Sequence, residues 1–191
     1  MSVPPSDRRP PELAADERAL LLDVARQAIL ARLDGERVPP LPHAPIAEQL
    51  GGAFVSLHVD GELRGCIGIP EARQALGPVV QHCAQAAAFE DPRFASIGHR
   101  DVAGLAIEIS VLSPLRPLGV PADIVIGRDG LVVAQGWQRG LLLPQVAAEH
   151  RWGPEEFLRQ TCRKAGLPTT AWQHGATVEV FTADVFAEHR R

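Results

Sequence analysis

The spacing of apolar residues along the chain predicts a mixture of helices and strands. From Leu13 to Leu33, apolar side chains recur every three or four residues, which predicts a helix, and Asp34-Gly35 ends it. Similar spacing predicts further helices at 76–89, 144–150 and 154–165. Alternating or short apolar runs predict strands at 54–59, 62–69, 102–112, 124–126, 131–133, 140–143 and 176–181. Residues 182–189 are predicted to form a short turn or helix.

The order of these elements indicates the fold class. Asp60-Gly61 and Asp129-Gly130 are two-residue hairpin signals, and no regular strand–helix–strand alternation is present. We therefore expect an α+β fold in which helices flank an antiparallel β-sheet. The hairpin at Asp129-Gly130 and the loop at Gly136 are expected to form a smaller second lobe. Residues 13–189 are expected to be a single domain of two lobes, and residues 1–12, which contain four prolines, a disordered tail.

One predicted strand contains residue types that are unusual in a strand interior, since it includes Leu63-Arg64-Gly65-Cys66-Ile67-Gly68. Glycine within a strand indicates a bulge, a bend, or a place where another group approaches the backbone closely. In a regular strand, Arg64 and Cys66 would lie on the same face, with a cation beside a thiol. A neighbouring cation favours the thiolate, which is the reactive form of cysteine.

The pairing of this strand with 54–59 follows from the Asp60-Gly61 turn. Counting outward from the turn pairs Val59 with Glu62, Leu57 with Arg64, and Val55 with Cys66. This register places Arg64 and Cys66 on one face and His58 on the other, so it pairs the thiol with no histidine base. A slip of one residue would exchange the two faces.

A charged turn follows the predicted helix 76–89, at Glu90-Asp91-Pro92-Arg93-Phe94. Two interpretations are open. The turn is either a structural feature with a surface pair between Asp91 and Arg93, or a charged loop beside the strand that carries Cys66. On composition alone the structural interpretation is slightly favoured.

Composition excludes several classes of protein. The net charge of −4 gives no basic face for nucleic acid, and no apolar run is long enough to span a membrane. The three cysteines, at positions 66, 83 and 162, are too widely spaced for a zinc or iron–sulfur motif, and reduced thiols in the cytoplasm are expected. The seven histidines show no ligand-like spacing, and no phosphate-binding or dinucleotide-binding loop is present. We predict neither a metal nor a cofactor.

The six-residue stretch at 63–68 resembles the signature of the AMMECR-type domain family. Four further blocks resemble bacterial members of that family in the same order: 87–94, 108–112, 140–147 and 164–168. The resemblance covers roughly residues 13–189 and is greatest to protein A of the bacterial AmmeMemoRadiSam system. It implies an α+β fold with a larger and a smaller lobe, and a Memo-like protein and a radical-SAM protein as partners. It does not imply a reaction or an oligomeric state.

Two hypotheses of function follow. In the first, the protein is an enzyme or an enzyme subunit: Cys66 is a nucleophile or general acid, and Arg64, Glu90, Asp91 and Arg93 bind substrate. In the second, it is a non-catalytic binding or scaffold module, and the signature is structural. In either case an arginine on an apolar strand face needs water or an anion, so we expect a carboxylate to hold Arg64, with Asp91 or Glu90 favoured over Glu108.

Overall fold

The computed structural model of the chain describes residues 12–188. Its α-helices are α1 (Ala15–Leu33), α2 (Pro45–Glu48), α3 (Leu76–Phe89), α4 (Pro144–Glu149) and α5 (Pro154–Lys164). Its strands are β1 (Gly52–Val59), β2 (Glu62–Ile69), β3 (Leu105–Leu112), β4 (Arg116–Pro117), β5 (Asp129–Gln135), β6 (Gln138–Leu142) and β7 (Thr177–Ala187). Apart from Glu12, the predicted disordered tail lies outside the described residues.

The described residues divide into a larger unit, 12–112 and 184–188, and a smaller unit, 113–183. In the larger unit an antiparallel sheet has the order β2-β1-β3, followed by the end of β7. One face of this sheet packs against α3, and α3 packs against α1. Val55, Leu57, Ile107 and Ile109 are fully buried there, as is Val79 of α3. The apolar positions that predicted these elements therefore form one core.

The prediction for the end of β7 is wrong. Residues 182–187, predicted as a turn or helix, belong to a strand. The carboxylates of Asp184 and Glu188 accept hydrogen bonds from Arg18 (3.1 and 3.0 Å) and from Nε of Arg26 (2.6 Å). The backbone N–H of Glu188 also donates to Ile107 (3.0 Å), so partners distant in sequence stabilise the extended conformation.

The start of β3 also differs from its prediction. Residues 102–104 belong to a 3₁₀ helix, His99–Gly104, and the strand begins at Leu105. The Asp101 carboxylate accepts the backbone N–H of Gly98 (2.8 Å), which caps this helix.

In the smaller unit the antiparallel strands pair in the order β6-β5-β7-β4, with α5 packed against β5 and β6. The hairpin predicted at Asp129-Gly130 is wrong, because both residues lie inside β5. The fully buried Asp129 carboxylate accepts the backbone N–H of Val125 (2.9 Å), so the preceding segment turns instead of forming a strand. The hairpin turn lies at Gly136-Trp137, where Gly136 has a φ of 61°.

The α+β prediction is confirmed. Every strand pair described in the two units is antiparallel, and helices pack against the strands of each unit. The division into a larger and a smaller unit agrees with the predicted second lobe.

Candidate functional site

A β-bulge at Arg64 sets the orientation of the signature strand. The register pairs Val59 with Glu62, as predicted, but then pairs Leu57 with Gly65 and Ser56 with Cys66. Arg64 is the extra residue, so the predicted pairing is wrong from this position onward. Cys66 therefore lies on the opposite face from the fully buried Leu57.

The two glycines of the signature allow close approaches. Gly65 lies on the core side, where a Cβ would overlap the backbone carbonyl of Ala87 in α3. A Cβ at Gly68 would overlap the ring of Phe54. Helix α3 therefore packs directly on the backbone of β2, as strand glycines predict.

An Asp91–Arg93 pair, which we call the clamp, holds the backbone of Cys66. One oxygen of the buried Asp91 carboxylate accepts the Cys66 N–H (3.0 Å), and both oxygens accept hydrogen bonds from the Arg93 guanidinium (2.9 and 2.6 Å). The guanidinium also donates to the Cys66 carbonyl (3.1 Å). Both interpretations of the charged turn therefore hold in part. The turn lies beside the strand that carries Cys66, and its Asp91–Arg93 pair has a structural role there.

Hydrogen bonds from Arg93 hold the pKa of the Asp91 carboxyl well below its usual range. Burial of the carboxyl opposes this effect, and the N–H of Cys66 adds to it. In turn, the hydrogen bonds to the Asp91 carboxylate raise the pKa of Arg93. The guanidinium that contacts Cys66 is that of Arg93, which binds the Cys66 carbonyl.

Acid is expected to weaken the clamp. Because the pKa of Asp91 is lower in the folded than in the unfolded protein, its contribution to stability is present above about pH 4 and is lost as pH falls through the folded value. The free energy of unfolding of the wild-type protein should therefore fall more steeply below pH 4 than that of Asp91→Asn. Urea unfolding at pH 7, 4 and 3 measures both, and parallel declines would contradict the expectation.

The predicted partners of Arg64 are wrong. Its guanidinium lies 3.8 Å from the carboxylate of Asp101 and not beside Asp91 or Glu90. Asp91 is already bound to Arg93 and Cys66, and Glu90 forms an exposed pair with Arg32 (2.6 Å). A carboxylate from another part of the chain does lie beside Arg64, but at the edge of ion-pair range.

The three thiols differ in exposure. Cys66 is partly exposed, and its sulfur accepts a hydrogen bond from the Ser56 hydroxyl (3.3 Å). Cys83 and Cys162 are fully buried. Burial raises the pKa of Cys83 to about 11 and also raises the pKa of Cys162. A reagent in water therefore meets Cys66 first.

We call the face of the β2-β1-β3 strands that points away from α3 the polar face. It carries both Cys66 and His58, which the predicted register placed on opposite faces. Ser56 lies between Cys66 on β2 and Glu108 on β3, and His58 lies two residues further along β1. All four are partly buried. The signal that could have placed His58 with Cys66 is the glycine at 65, because strand glycines accompany bulges.

Among the described residues, neither of the two main cavities includes Cys66, and no ion site lies there. A cavity of about 660 Å³ is lined by Arg26, Asp60 and Glu188 among others, and does not include Cys66. Between residues 12 and 188, no three side chains of the metal-binding types are arranged to hold an ion. In the same range, no helix is both long and apolar enough to cross a bilayer.

Comparison with known proteins gives consistent matches over most of the chain. A family model described as AMMECR1 matches residues 22–186. A protein of Thermofilum pendens is 43% identical over 195 residues, covering 92% of each chain. A protein of Methanothermobacter thermautotrophicus is 44% identical over 185 residues, covering 92% of this chain and 96% of the relative. The crystal structure of an uncharacterized protein from Pyrococcus horikoshii is similar with a TM-score of 0.85 at 37% identity, over 93% of this chain and 94% of that one.

Proposed function

The chain belongs to the AMMECR1 family, and we propose that it is an enzyme, or the substrate-binding subunit of one, that works through the thiol of Cys66. The observation that carries this proposal is the contrast between the backbone and the side chain of Cys66. The clamp binds the backbone on both its N–H and its carbonyl, while the residue stays partly exposed and its side chain lies on the polar face. A fixed, accessible thiol beside a guanidinium has the properties of a cysteine nucleophile.

The surrounding residues then take separate roles. Asp91 and Arg93 position the nucleophile through its backbone, and Arg93 adds a positive charge beside it. Arg64, whose side chain is partly exposed, is available to bind an anionic group of the substrate. Glu90, which is paired with Arg32, has no role in this proposal.

A Memo-like protein and a radical-SAM protein are the partners that we propose for this site. The similarity of the sequence to protein A of the AmmeMemoRadiSam system supports this choice. Co-purification of the three proteins after co-expression tests it, with each pair expressed separately as the comparison. Elution of all three as separate species would count against the partnership.

Selective alkylation tests the role of Cys66. With iodoacetamide at pH 7 we expect one thiol of the folded protein to react, at Cys66, and all three to react after denaturation, because Cys83 and Cys162 are buried. Mass spectrometry of the peptides identifies the labelled residue. Cys66→Ser serves as the control and should leave the folded protein unlabelled. Labelling of Cys83 or Cys162 with Cys66 inert would remove the nucleophile from the proposal.

A second candidate is a non-catalytic binding module, and two observations favour it. The approach of α3 to Gly65 and the clamp on the Cys66 backbone account for much of the signature without any reaction. In such a module, Cys66→Ala should bind a co-purifying partner as the wild-type protein does. An enzyme with a Cys66 nucleophile should instead lose its activity while it keeps its fold.

A further inference from the structure

The polar face carries the three kinds of side chain that a catalytic triad with a thiol nucleophile uses. Cys66 lies on β2, His58 on the neighbouring β1, and Glu108 on β3. A thiol, an imidazole and a carboxylate thus occupy three consecutive strands of one sheet. The bulge at Arg64 creates this arrangement, because without it Cys66 would point into the core.

The register also fixes their order. Ser56 is directly opposite both Cys66 and Glu108, and His58, two residues along the same strand, is diagonal to each of them. Diagonal neighbours in antiparallel sheets are about 7–8 Å apart, which rings and long side chains can span. His58 is therefore the central member, with the thiol on one side and the carboxylate on the other.

The side chains are available for such contacts. Among residues 12–188, the His58 imidazole and the Glu108 carboxylate have no hydrogen-bond or ion-pair partner. Asp91 and Arg93, which flank Cys66, bind each other and the backbone of Cys66, and Arg64 lies 3.8 Å from the carboxylate of Asp101. Catalytic hydrogen bonds commonly tighten only when substrate is bound.

We infer that His58 is the general base for Cys66 and that Glu108 is the positioning residue for His58. This inference rests on the proposed function, because it assumes that Cys66 is the nucleophile. The hydroxyl of Ser56, at 3.3 Å from the sulfur, holds the thiol between the two strands. The substrate class is a compound with an electrophilic carbon that carries a leaving group.

The step is balanced without an oxidant or reductant. A nitrogen of His58 takes the proton from the thiol while an electron pair of the sulfur forms a bond to the electrophilic carbon. The leaving group departs with the electron pair of the bond that breaks, and the Glu108 carboxylate stabilises the imidazolium. Iodoacetamide follows the same course, with iodide as the leaving group, so its reaction is a direct probe of the first step.

The experiment is the rate of alkylation of Cys66 by iodoacetamide from pH 5 to 10, in the folded full-length protein. At pH 7 we expect His58→Gln to lower the rate about tenfold, because the variant keeps Arg93 but has no group to take the proton of the thiol. Its rate–pH profile should move to higher pH. Glu108→Gln should move the profile in the same direction by less, and Glu108→Asp should restore part of the rate.

His82→Gln is the matched control, because His82 is exposed on α3, away from the polar face, and its profile should equal that of the wild type. Thermal unfolding of each variant checks its fold, and His58→Asn replaces His58→Gln if the latter unfolds. A wild-type profile in a folded His58 variant overturns the inference and leaves the Cys66 proposal standing. An inert Cys66 in the wild-type protein overturns both.

Discussion

Asp91→Ala is expected to lower the free energy of unfolding by about 2–4 kcal/mol. The substitution leaves the N–H of Cys66 without its acceptor and the Arg93 guanidinium without its carboxylate. Breaking a fully buried ion pair costs about 3–5 kcal/mol, and the lower range applies because the Arg93 side chain is half exposed and can bind water. Urea unfolding at pH 7 measures the change.

Glu90→Ala is the matched control for this prediction. Glu90 is the adjacent carboxylate, but its pair with Arg32 is exposed on both sides, so its loss should cost about 0–1 kcal/mol. Equal effects of the two substitutions would mean that the clamp contributes no more than a surface ion pair. The comparison therefore separates the structural role of Asp91 from the general effect of removing an acid from this turn.

Gly65→Ala is expected to destabilise the protein by about 3 kcal/mol, the upper end of the usual cost of overpacking. The added methyl group would overlap the backbone carbonyl of Ala87, and neither backbone can move without disturbing β2 or α3. Thermal unfolding, with circular dichroism to confirm the native secondary structure, measures the loss. The rate of alkylation of Cys66 should change as well, since the same shift would displace the bulge.

Gly98→Ala provides the comparison. Gly98 has an extended backbone, and a Cβ there would lie 3.7 Å from the Asp101 carboxylate, an ordinary contact. Its effect should stay within about 0.5 kcal/mol. An equally small effect of Gly65→Ala on the free energy of unfolding would contradict the prediction. It would mean that helix α3 can move away from β2, and that close packing does not require glycine at position 65.

The parts of the fold that could be predicted from sequence are those that local patterns determine. Helix α3 has the predicted bounds, because both signals are local. The apolar spacing lies within the helix, and the Asp91-Pro92 break follows its last residue closely. The end of β7 could not be predicted, because the partners of Asp184 and Glu188 are arginines more than 160 positions away. Local sequence specifies such strands poorly when distant contacts hold them in place.

The candidate site shows the same division. That Cys66 is the most exposed of the three cysteines could be anticipated, but the guanidinium that binds its backbone is that of Arg93, while Arg64 lies beside Asp101. A single inserted residue exchanged the faces of the strand and brought His58 to the side of Cys66. Counting residues from a turn gives the register only while the pairing is regular, and the bulge ends that regularity three residues after the turn.

The clamp has a consequence for how the protein behaves at high concentration. Within residues 12–188, β2 pairs only with β1, so its other side is a free edge to which a strand of another molecule could add. The N–H and carbonyl of Cys66 point to that edge, and Asp91 and Arg93 bind both of them, as a neighbouring strand would. Because the pair already binds this N–H and this carbonyl, a strand of another molecule cannot add at Cys66 without displacing it.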